Sequence, residues 1–202
     1  MTAALVEKEQ LTPDNYPLSM NALLMACNQT SNRHPVVDYD QHTVANALEN
    51  LKAAGLTRVV YSKGMRVDKY RHVLHEALHL SQPELALLCM LMLRGPQTAA
   101  ELRSRTERMH AFSDQREVEE VLGGLAGREP PLAALLPRQP GQKEQRWAHL
   151  LAGEPSPDDI APEGAPTAGS SSAAPRGDRI GDLEDRVAAL EARLETLEQA
   201  RE

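Results

Sequence analysis

Three blocks of this chain occur twice, in the same order, and that repetition constrains the fold more than any other feature. "ALLMAC" (22–27) matches "ALLCML" (86–91), and "DQHTVANALENL" (40–51) matches "DQREVEEVLGGL" (114–125). "GMRVDKYRH" (64–72) matches "GQKEQRWAH" (141–149), each with a glycine, an aromatic six residues on and a histidine two further. The offsets are 64, 74 and 77, growing along the chain as loop insertions produce. One small unit is therefore expected twice.

The local signals define that unit. Asp40 and Asp114 stand in N-cap position, and Val44/Leu48/Leu51 and Val118/Leu122/Leu125 follow at i, i+4, i+7, an amphipathic helix in each copy. The apolar "ALL" blocks predict a preceding, mostly buried helix. Strands are predicted at "TRVVYS" (57–62) and "VDKYRHVL" (67–74) around Gly64, and at "LAALLPR" (132–138) and "QRWAHLL" (145–151) around "QPGQK". The second copy also carries "QTAAELRSRTERM" (97–109), opened by a Thr98/Glu101 capping box after Gly95-Pro96. In the first copy "NQTSNRHPVVDY" (28–39) occupies that place and is too short for a full helix. Three helices and a two-stranded hairpin make a winged helix. The expected fold is mainly α with small β-hairpins (α+β), with winged-helix domains over 1–80 and 81–153.

Beyond them, residues 154–178 are rich in Pro, Ala, Gly and Ser without a hydrophobic period, the composition of a disordered linker. Residues 179–202 then show heptads: Ile180, Val187 and Leu194 at a, Leu183, Leu190 and Leu197 at d. Arg179, Arg186 and Arg193 at g would face Glu184, Glu191 and Glu198 at e of a parallel partner, so these six core residues predict a coiled-coil homodimer. The alternative is a lone amphipathic helix docked on its own globular part.

Charge divides along the same boundaries. Residues 1–80 hold eight basic and eight acidic residues, and 81–153 nine of each. The whole net charge of −7 falls after residue 153. The overall balance thus excludes a broad basic face without excluding a nucleic-acid partner. Cys27 and Cys89 lie in apolar helical runs as expected free thiols, which suits a reducing compartment. No apolar core follows a basic start, and the longest apolar run, "LALLCMLML" (85–93), is too short for a bilayer. A cytoplasmic protein is expected.

"LTPDNYPLSMNALLMACNQTSNRHPV" (11–36), the "GMRVDKY" stretch and "LMLRGPQTAAELRSR" (91–105) resemble the bacterial YceH family of uncharacterised proteins. The resemblance covers about residues 5 to 153. It implies tandem winged-helix domains and carries almost nothing about function.

Winged helices most often bind DNA, with the third helix in the major groove and the wing on the backbone or in the minor groove. The candidate contacts in the first copy are Lys63, Arg66, Lys69 and Arg71 on the wing, with Gln41, His42 and Asn46 on the helix. In the second copy they are Arg138, Lys143 and Arg146. The second copy's helix suits DNA poorly, since Glu117, Glu119 and Glu120 would face phosphates. The alternative is a scaffold that uses winged helices to hold protein partners. Asn28, Gln29, Asn32 and Arg33 could form a phosphate or partner loop, or cap their own helices. Tyr70 and Trp147 are expected to pack against the wings' own cores. His72, His75 and His79 share helical spacing, but His72 is expected to end a strand, so no metal is expected. No nucleophile–base pair, phosphate loop or carboxylate pair is present, so neither an enzyme nor a cofactor is expected.

Overall fold

The computed structural model describes residues 1–61, 67–138 and 142–155. Residues 156–178 of the predicted linker and the heptad residues Ile180, Leu183, Val187, Leu190, Leu194 and Leu197 lie outside them. So do Lys63, Arg66 and the two repeat glycines, Gly64 and Gly141. The described residues fall in one compact unit of helices with two small antiparallel sheets.

The first half runs α1 (Thr2–Leu11), a 3-10 turn (Pro13–Asn15), β1 (Leu18–Ser19), α2 (Met20–Cys27), α3 (Gln41–Ala53), β2 (Thr57–Val60) and β3 (Lys69–His72). A single turn, α4 (Leu74–Ala77), leads to α5 (Gln82–Arg94), α6 (Ala99–Thr106), α7 (Gln115–Ala126), β4 (Ala133–Leu135) and β5 (Trp147–His149). Strands β2 to β5 fall inside the predicted stretches, while β1 lies where no strand was expected. The sheet β1-β3-β2 pairs Leu18 with Tyr70 and Thr57 with His72, and the second pairs Ala134 with Ala148.

The duplication is visible in the order of elements, but one matched block is out of register. β1 pairs with β3 just before α2, and Gln97 bridges Trp147 just before α6, exchanging backbone hydrogen bonds of 3.0 and 2.7 Å. Ser19 caps α2 through the Ala22 N–H as Thr98 caps α6 through the Glu101 N–H. The structural partner of α2 is therefore α6, eight residues like itself, and that of α5 is α1. The "ALL" match joined a second helix to a first one. The middle helix that seemed missing from the first copy is α2, and 28–39 is a loop after it.

The cap predictions correspond to atoms. Asp40 accepts from the Thr43 N–H at 2.7 Å and Asp114 from the Glu117 N–H at 2.9 Å, while Thr98 and Glu101 form their capping box. Gly95 ends α5 at φ +71, ψ −156, a backbone conformation that glycine adopts without a Cβ clash.

Two hydrophobic clusters follow the two copies. One holds Leu18, Leu23, Val44 and Leu48; the other holds the α5 leucines with Leu102, Val118, Leu122 and Leu125. Helix α1 serves both, giving Ala4 and Leu5 to the first and Ala3 and Val6 to the second. Tyr70 packs on the first cluster and Trp147 on the second. Cys27 and Cys89 are buried free thiols, and the Cys89 thiol donates to the Ala3 carbonyl. No helix among the described residues is long and apolar enough to cross a membrane.

Candidate nucleic-acid interface

Helix α3 buries Val44 and Leu48, which leaves Gln41, His42, Thr43, Asn46, Glu49, Asn50 and Lys52 on its exposed side. The display is amide, imidazole and hydroxyl. Asn46 and His42 lie 3.0 Å apart, Nδ2 to Nε2. The one carboxylate within the helix, Glu49, sits 3.5 Å from Lys52. Asp40 is occupied as the cap, and the Thr43 backbone N–H holds its carboxyl below the usual range. Sequence reasoning missed Lys52, although it lies eleven residues after Gln41, three turns along the same face.

The β2–β3 ladder follows α3, which packs against β2. Lys69 is half-buried and forms no ion pair among the described residues. Arg71 lies in the same strand, but its guanidinium meets Glu76 at 2.9 Å, and Arg58 meets the other oxygen of Glu76 at 3.2 Å. One carboxylate thus serves two arginines, and its pKa is held low, chiefly by the hydrogen bond from Arg71.

The second copy is different at each corresponding place. On α7, Gln115 donates to Glu119 and Arg116 pairs with Glu120 at 3.1 Å, so Glu120 has a cation beside it while Glu119 has only an uncharged amide. Glu117 turns back to the Ser113 N–H and hydroxyl. Lys143 is exposed, and Arg138 is exposed with its Nε–H on the Gln142 carbonyl. Arg146 is mostly buried, donating to the Pro96 carbonyl at 2.9 Å and to Glu101 at 3.1 Å. It ties β5 to the start of α6 and has little to offer outward.

The amide-rich loop also faces inward. Asn28 exchanges two hydrogen bonds with the Tyr39 backbone, and Gln29 accepts from Lys8 while donating to the Ser31 carbonyl. Asn32, in left-handed backbone at φ 56, donates to Glu7, and Arg33 makes a two-point pair with the same carboxylate. These four side chains build the loop and fasten it to α1. Glu7 could not be foreseen as their anchor, because nothing local marks a charge destined for burial.

His72 ends β3, as expected, and the three histidines do not converge. Exposed His79 lies apart at φ 50, while Glu9 joins His72 and His75 with ligand atoms within 4.8 Å of one another. The hydrogen-bond pattern is that of a tie. The Leu74 N–H donates to His72 Nδ1, so the proton sits on Nε2 and is donated to Glu9 at 2.6 Å. A metal on Nε2 would force a proton onto Nδ1 against that N–H. The Tyr16 hydroxyl accepts the His72 backbone N–H at 2.7 Å, so both contacts lock β3 to the N-terminal segment.

Comparison with known proteins places the chain. The model of the family described as "Protein of unknown function, DUF480" matches residues 1–142. A UPF0502 protein of Geotalea uraniireducens is 50% identical over 188 residues, 93% of this chain and 85% of the relative. UPF0502 proteins of Citrifermentans bemidjiense and Solibacter usitatus are 54% and 49% identical, over 78% and 95% of this chain and 73% and 90% of theirs. The chain belongs to this family of uncharacterised bacterial proteins, in line with the resemblance carried by its own motifs.

Proposed function

We propose that this chain is a tandem winged-helix protein that binds duplex DNA through its first copy. Helix α3 enters the major groove and the β2–β3 hairpin lies along the backbone. The observation that carries the reading is the contrast between α3 and α7. The α3 face offers donors and acceptors suited to base edges with Lys52 beside them, and its single carboxylate is next to a lysine. The α7 face offers Glu119 and Glu120, which phosphates would repel. Lys69 supplies phosphate contact from β3, and Lys63 and Arg66 are further basic residues of the predicted wing. The C-terminal heptads would join two chains, presenting two α3 helices to paired half-sites and raising avidity. The test is duplex affinity measured against salt.

The second copy supports a protein contact in the same particle. Leu135 is 44% exposed on β4, which packs beside the acidic α7. An apolar residue next to an acidic face suits a partner protein better than a polyanion.

A further inference from the structure

Strand pairing places Arg58 of β2 directly opposite Arg71 of β3. Like charges set opposite each other on a ladder repel. Side chains alternate between the two faces of a strand, so Lys69 shares the face of Arg71, while Tyr70 turns to the other and packs on the first core cluster. Three cations therefore gather on the outer face of the hairpin. Arg58 lies outside the wing residues expected from the sequence.

The carboxylate that answers these cations is Glu76 on α4. Its Oε1 takes Arg71 at 2.9 Å and its Oε2 takes Arg58 at 3.2 Å, and the Arg58 side chain is 61% exposed. The other acids nearby are committed elsewhere. Glu9, whose charge reaches Arg71, accepts from His72 Nε2, and Asp68 precedes β3 and acts on Tyr70. His75, near Glu76, adds no negative charge. The face thus sets three cations against one anion, which is held only by exposed ion pairs, and such pairs are weak and exchangeable.

A DNA phosphodiester shares the features of that carboxylate: two free oxygens and one negative charge. Arginine bonds phosphate as it bonds carboxylate, through short charge-assisted N–H···O contacts. We propose that Arg58 and Arg71 form a clamp for one backbone phosphate, and that Glu76 fills the clamp until duplex displaces it. This clamp rests on the duplex reading of the same hairpin and adds to it a binding residue, Arg58, and an internal competitor, Glu76.

The test is the affinity of the full chain for one random-sequence duplex, measured for the parent, Glu76→Gln, Arg58→Gln, Arg58→Gln/Arg71→Gln and the combination of all three. Glu76→Gln should bind about twofold to fivefold more tightly, because no carboxylate competes. Arg58→Gln should bind more weakly, and the double arginine variant should lower the logarithmic salt slope by about 0.9, one phosphate contact. The gain from Glu76→Gln should vanish once both arginines are replaced, since there is then no clamp to open. Circular dichroism shows which variants are folded, and Arg58→Gln decides if Glu76→Gln does not fold. A gain that persists without the arginines is a general charge effect and overturns the clamp. Affinity unchanged in folded Glu76→Gln or Arg58→Gln overturns it too. A parent chain that fails to bind at low salt overturns the duplex reading and the clamp together, so the two failures are distinct.

Discussion

The Glu7 carboxylate of α1 and the Arg33 guanidinium of the loop after α2 meet at two points, 2.6 and 3.2 Å, with side chains 3% and 6% exposed. Asn32 adds a third donor to the same carboxylate at 2.6 Å. A pair this deep is secured by the hydrogen bonds on both guanidinium Nη atoms, since either charge alone would be stranded. It turns inward a loop whose composition suggests an outward role.

Removing one partner should therefore cost more than removing both. Arg33→Ala or Glu7→Ala is expected to destabilise the fold by about 3–5 kcal/mol. The pair Glu7→Leu with Arg33→Met should lose less than either single variant. Chemical denaturation of the three variants measures this, and a double variant less stable than either single one would contradict it.

Acid should loosen the α5 cap. Burial by itself would raise the Glu84 carboxyl, but the Ser81 N–H and hydroxyl and the Arg128 guanidinium together hold it below the usual carboxylate range. A carboxyl with a depressed folded pKa stabilises above its unfolded value, about 4.3, and that stability is lost as pH falls through the folded value. Glu84→Gln should cost about 1–2 kcal/mol at neutral pH. The gap to the parent protein should close on acidification below about pH 4. A gap constant with pH in urea unfolding would contradict the assignment.

Two glycines should respond oppositely to alanine. Gly95 sits at φ +71, ψ −156, where L residues are strained, and nothing lies within 4 Å of an added Cβ. Gly95→Ala should cost about 1–3 kcal/mol from backbone strain alone. Gly123 is exposed inside α7 with the same open space, so Gly123→Ala should stabilise by about 0.4–1 kcal/mol. Thermal unfolding distinguishes the signs.

The heptads carry the dimer proposal. Leu190→Pro interrupts them at a d position, and light scattering should then report one chain per particle. A mutant that remains dimeric would move the interface to the globular part.

Much of this was legible in the sequence because it is local. Asp40 and Asp114 declare their caps within three residues, and Val44/Leu48 and Val118/Leu122 repeat at one turn. Helix α1 was not legible. Its residues Thr2 through Glu7 are buried in succession because α2 and α5 pack against it, so no polar stripe marks the helical period. Overlooking α1 shifted the register of the first repeat block, and the apolar similarity of "ALLMAC" and "ALLCML" reinforced the shift. At the candidate site, the α3 face could be read from its own period. The pairing of Arg71 with Glu76 and the burial of Arg146 depend on contacts that only the tertiary fold creates.

The most direct test is the affinity of the full chain for random-sequence duplex DNA across a salt series, repeated with Lys52→Glu/Lys69→Glu. Affinity should fall as salt rises, with a logarithmic slope of about 0.9 per phosphate contact. The double variant should bind more weakly and with a shallower slope. Absence of binding at low salt, a slope of zero, or a variant indistinguishable from the parent would contradict duplex recognition through α3 and its hairpin.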